Sequence, residues 1–108
     1  MGKITEVGDH NFDADMGSVR LGLMYFWSPL NEPCESMTPI VEDIARQFEG
    51  KLKVAKMNID DYPSAVARWG IREVPHFLLW KDAAVPEEQI VGAVPKATLV
   101  SAIEKALL

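Results

Sequence analysis

The sequence predicts an α/β domain built on a central mixed sheet with helices on both faces, and three observations carry that prediction. Short apolar runs alternate with helical periodicities in the order β-α-β-α-β-α-β-β-α. The runs Val19–Trp27 and Leu52–Ile59 flank a long amphipathic helix, the pattern of a parallel pair with a right-handed crossover. The last two runs, Phe77–Lys81 and Gln89–Gly92, are separated only by DAAVPEE, short enough for an antiparallel hairpin.

Ile4–Val7 is a short apolar-polar run, followed by Asp9, His10 and Asn11, which suit a turn or the cap of a short helix over Phe12–Met16 that Gly17-Ser18 breaks. Val19–Trp27 is nearly all apolar, as expected of a central strand covered on both faces. In the helix that follows, Met37, Ile40, Val41, Ile44, Ala45 and Phe48 recur at the spacing of one buried face. Pro33 costs that helix nothing in its first turn, Pro39 removes one interior hydrogen bond and predicts a kink, and Gly50 ends it. After the Leu52–Ile59 strand, Asp60-Asp61-Tyr62-Pro63 reads as a helix start and Gly70 stops that helix after Trp69. Pro95 or Lys96 opens a last helix whose apolar face is Leu99, Val100, Ile103, Ala106 and Leu107.

At 108 residues the chain predicts a single domain over 1–108. Sixteen acids against eleven bases give a net charge of −5, which argues against nucleic acid or an anionic membrane as the main partner. No run approaches the length that spans a bilayer, and MGKITEVGDHNF lacks the basic-then-apolar order of a secretory signal, so a cytoplasmic location is expected. One cysteine excludes an internal disulfide and a cysteine-based zinc site. Neither His10 nor His76 lies in a ligand-spaced cluster, so no metal is expected, and nothing points to a cofactor.

Several separated motifs then coincide: Phe26-Trp27, Pro33-Cys34, Pro39, KVAKMNID at 53–60, GIREVPHFLLWK at 70–81 and VGA at 91–93. In order and spacing they make the chain resemble a thioredoxin from Ile4 to Leu107. The resemblance implies the thioredoxin fold, a role in cell redox homeostasis, and a cis proline at Pro75 facing the active-site loop. It further implies that Trp27, Leu30, Ile59, Val74, Pro75, Gly92 and Ala93 form an apolar surface on which a client or partner protein docks.

The chain departs from that family where the chemistry would be. Thioredoxins read Trp-Cys-Gly-Pro-Cys-Lys where this chain reads Leu30-Asn31-Glu32-Pro33-Cys34-Glu35. Asn31 holds the place of the attacking cysteine, and only the second cysteine remains, as Cys34. Disulfide exchange needs a thiolate that attacks and a thiol that resolves, and asparagine does neither. A buried aspartate that assists proton transfer in the family is replaced by Tyr25, a poor relay near neutral pH, while its usual partner remains as Lys56. Glu32 and Glu35 bracket Cys34 and disfavour its thiolate, against a helix dipole that favours it.

Asn31 also has a purely structural reading, as an N-cap whose side chain accepts from the N–H of Cys34. Cys34 itself reads either as a small buried hydrophobe or as a single thiol that forms mixed disulfides or links two chains. His76 follows Pro75 on a strand whose alternation turns it away from its neighbour's face, so it reads as a structural or surface histidine. The expected function is a protein-binding or redox-associated member of the family with little or no disulfide reductase activity. The alternative is a one-thiol oxidoreductase that works through Cys34; on either reading the chain is expected as a monomer or a Cys34-linked dimer.

Overall fold

In the computed structural model, which describes residues 4–6, 21–81 and 86–108, the elements run β1 (Ile4–Glu6), β2 (Leu21–Trp27), α1 (Glu32–Gln47), β3 (Lys53–Asn58), α2 (Pro63–Trp69), β4 (His76–Lys81), β5 (Pro86–Val91) and α3 (Lys96–Ala106). The helix expected over Phe12–Met16 and the start of the strand expected at Val19 lie outside the described residues. The strands form one mixed sheet in the order β1-β3-β2-β4-β5. β3 pairs parallel with both β1 and β2, whereas β4 runs antiparallel to β2 and to β5.

Alternation along β2 divides the core. Leu21, Leu23 and Tyr25 face one side, where they join Phe77 and Leu79 of β4, the apolar stripe of α1 and Leu99, Ala102 and Ile103 of α3. Met24 and Phe26 face the other side with Ala55, Met57, Ile71 and Leu78, and Trp69 at the end of α2 packs against this second cluster. β2 is therefore buried on both faces, which is why its sequence is almost uninterrupted apolar residues. Tyr25 pairs with Phe77 across the β2–β4 ladder, and their rings stack at 5.2 Å between centroids.

α1 runs unbroken through Pro39, which is exposed; its missing N–H leaves the Glu35 carbonyl without the usual intrahelical donor. Met37, Val41, Ile44 and Ala45 are buried along the stripe, with Phe48 buried at the C-cap and Ile40 half-buried at its edge. Gly50, at φ +86°, turns the chain back toward β3.

Two expectations need correction. β5 begins at Pro86 rather than Gln89, because β5 is the outer strand beside β4 and a proline without an N–H is tolerated there. The buried face of α3 is Leu99, Ala102 and Ile103; Leu107 falls beyond the helix and is 41 % exposed. Val100 and Ala106 pack half-buried at the edge of the same core cluster, so the expected face holds as far as Ala106.

Candidate functional site

One end of the sheet gathers the residues singled out by the sequence. β2 and β3 finish there at Trp27 and Asn58, antiparallel β4 starts there at His76, and β5 finishes there at Val91. The connections that leave this end carry the N-terminus of α1, Ile59, Val74-Pro75 and Gly92-Ala93. Two backbone hydrogen bonds tie them together: Ile59 N–H donates to the Trp27 carbonyl at 3.0 Å, and Gly92 N–H donates to the Pro75 carbonyl at 2.8 Å. The Val74–Pro75 peptide bond is cis. Gly92 sits at φ +95°, a conformation that side chains with a Cβ rarely adopt.

These residues differ in how much they offer to solvent. Leu30 is 94 % exposed, Ala93 is exposed, and Trp27, Ile59, Val74 and Gly92 are half-buried. Pro75 is buried, so it shapes the surface from beneath rather than adding area to it.

Asn31 is the N-cap of α1. Its backbone is extended, and its Oδ1 accepts a 3.0 Å hydrogen bond from the Cys34 N–H while its carbonyl accepts from the N–H groups of Cys34 and Glu35. Glu32 and Glu35 lie exposed in the first turn, near the positive end of the helix.

Cys34 is 1 % exposed. Burial pushes its thiol pKa up, and hydrogen bonding from the Ser28 backbone and the Tyr25 hydroxyl pulls the other way without reversing it. The dominant cause is therefore desolvation rather than the flanking glutamates.

Below Cys34 lies a contact that the sequence did not announce. The Tyr25 hydroxyl donates to the Cys34 carbonyl at 2.7 Å, and the Thr38 hydroxyl reaches the same carbonyl at 3.0 Å and Tyr25 at 3.2 Å. Tyr25 is buried, and its pKa is pushed up to about 12, chiefly by desolvation. It is a fixed hydrogen-bond donor across the physiological range, unable to accept and release a proton there. Lys56 places its ammonium over the Trp27 ring, 5.2 Å from the centroid, a cation–π contact, with Glu6 of β1 as its register partner across the β1–β3 ladder. The Ser28 hydroxyl donates to Asp60 at 2.8 Å and links the β2 and β3 loops.

His76 is 3 % exposed and stands edge-on to Phe26; neither ring nitrogen makes a hydrogen bond of good geometry among the described residues, although Gln89 approaches closely enough to oppose the fall in its pKa. Paired in register with Phe26, it faces the cluster containing that residue, as strand alternation requires. Among the described residues, no group of three or more His, Cys, Asp or Glu side chains is placed to hold a metal ion. No described helix is long and apolar enough to cross a membrane.

The model of the thioredoxin family matches residues 3–105. The chain belongs to the thioredoxin family. Among its relatives in that family, the thioredoxin of Synechocystis sp. is 38 % identical over 108 residues, covering 99 % of this chain and all of that protein. Thioredoxin 1 of Nostoc sp. is 42 % identical over 85 residues, 79 % of this chain and 78 % of the relative. The crystal structure of Malassezia sympodialis thioredoxin superposes with a TM-score of 0.88 at 23 % identity, covering all of this chain and 94 % of that one, which establishes the thioredoxin fold. This member of the family has a single cysteine, Asn31 as a helix cap and the Tyr25 hydroxyl on the Cys34 carbonyl.

Proposed function

We propose that this chain is a protein-binding member of the thioredoxin family with little or no disulfide reductase activity. The observation that carries the reading is the state of the motif: its one thiol is 1 % exposed, and the place of an attacking thiol is taken by Asn31, which is committed to capping α1. A client disulfide has no nucleophile to meet at the surface. What remains exposed is an apolar rim of Leu30, Ala93 and the half-buried Trp27, Ile59, Val74 and Gly92, suited to an apolar segment of a partner protein. Burial of Cys34 favours a monomer over a Cys34-linked dimer. The cytoplasm, whose thiol buffers keep a lone cysteine reduced, is the compartment that fits.

Two assays test the reading together. Insulin reduction with dithiothreitol as electron source is expected at background. Iodoacetamide is expected to modify Cys34 slowly in the native protein and rapidly after denaturation. Fast native alkylation below pH 7, or insulin reduction above background, transfers the assignment to a one-thiol oxidoreductase. The binding half is tested with Leu30→Asp/Ala93→Asp, at two exposed positions, which is expected to keep the wild-type melting curve and to remove capture of any partner retained by the wild type.

A further inference from the structure

The other end of the sheet holds a feature that the docking surface does not explain. A cavity of about 690 Å³ opens where β2 and β3 begin and β4 ends, between Gly50 and the last turn of α3. Its walls carry Lys51, Lys53 and Lys81, and its apolar lining includes Leu21, Leu52 and Leu107. In a chain of net charge −5, three of the eleven basic residues converge here, and none of the described lining residues is acidic. A second cavity of about 240 Å³ shares Lys81 and Ala106 with it and adds Lys105 over Leu79 and Ala102, with Glu88 on its wall. The larger of the two is a groove with lysines on its walls and alanine and leucine side chains between them.

We propose that this groove binds a small amphipathic anion, a carboxylate or phosphate monoester on an aliphatic chain. The volume lies within the range of small-molecule sites, and the lining has their usual composition of apolar surface with a few convergent charged groups. The head group pairs with the lysine ammoniums, and the chain lies over Ala106, Leu107 and Leu108, the lining residues that keep apolar surface exposed beside the buried Leu21 and Leu52. The C-terminal end of α3 is the negative pole of its dipole, so attraction for the head comes from the lysines alone. A flat anionic bilayer meets the repulsion of the whole chain's net negative charge, whereas one soluble anion entering the concavity meets chiefly the lysines around it.

The probe is monomeric decanoate titrated into the full chain, with amide chemical shifts as readout. Saturable shifts are expected at Leu21, Gly50–Lys53, Lys81 and residues 106–108, and at no amide around Cys34. Affinity should rise from hexanoate to decanoate, by up to about fourfold for each fully buried methylene. Lys51→Gln/Lys53→Gln/Lys81→Gln should weaken binding about tenfold, since exposed charge pairs contribute modestly each. That variant's melting curve should match the wild type, because Lys51 and Lys81 are exposed and Lys53 is half-buried. Acetate should not bind, and decanol should bind less tightly than decanoate. Equal affinity of the lysine variant, equal affinity of acetate, or shifts without saturation would each overturn the proposal. Binding to phosphatidylglycerol vesicles with no response to monomeric decanoate would make this end a membrane contact and overturn it as well.

Discussion

Replacing Asn31 by alanine removes one acceptor and leaves the rest of the first turn in place, so its cost can be worked from the geometry. The lost bond is the 3.0 Å contact from the Cys34 N–H to Oδ1. That N–H retains a second acceptor, the Asn31 carbonyl at 3.1 Å, so it is not orphaned. Cap substitutions cost about 0.5–2 kcal/mol, and the surviving acceptor puts this one near the middle, at about 1 kcal/mol. For a domain of this size that corresponds to a fall in Tm of about 4–8 °C. Asn31→Asp keeps the acceptor and places a negative charge at the positive end of α1, so it should melt at or above the wild type at neutral pH. Thermal unfolding followed by circular dichroism reads both. A Tm for Asn31→Ala within about 1 °C of wild type, or an Asp variant as unstable as the Ala variant, would refute the cap as the reason asparagine suits this position.

Tyr25 has a folded pKa of about 12 against an ordinary 10.0, so the folded state holds the proton more tightly. Its contribution is complete below pH 10 and is lost as pH rises toward 12; about 2–3 kcal/mol of alkaline instability should vanish in Tyr25→Phe, as seen by urea unfolding at a series of pH values. At neutral pH the same variant should lose about 0.5–1.5 kcal/mol with the hydrogen bond to the Cys34 carbonyl; parallel pH curves for the two proteins would contradict the clamp. Burial holds the His76 pKa below its ordinary 6.5, so stability present above that pH drains as pH falls through the folded value. His76→Leu should flatten this acid limb and, by removing two buried nitrogens without a hydrogen bond of good geometry, stabilise the protein by about 1 kcal/mol; a less stable variant would mean that Gln89 satisfies the imidazole. Asn31→Cys/Glu32→Gly should reduce insulin measurably above the parent, and no gain would show that the docking surface has diverged along with the motif.

Periodicity carried the fold because each strand and helix buries one defined face or two. The continuous apolar run of β2, the i, i+3, i+4 stripe of α1 and the Gly50 and Gly70 stops all have local causes. The Asn31 cap was legible for the same reason, since its bond spans only three residues. The failures are non-local. The Tyr25 hydroxyl meets a carbonyl nine residues away, and Ser28 meets Asp60 thirty-two residues away, through packing that no spacing encodes. Lys56 could be seen to have lost its acid, but its seat over Trp27 follows from neighbouring strands brought into register. The burial of His76 escaped because strand alternation gives the face a residue takes and not the depth of cover on that face.

Cys34 lies 1 % exposed in a chain with no other thiol, so no disulfide can form within the chain. A two-thiol relative alternates between a bridged and an open species, and its surface reports the electron supply of the moment. On the proposed reading, the apolar rim has no intramolecular disulfide to switch it, and its occupancy follows the concentrations of the two proteins.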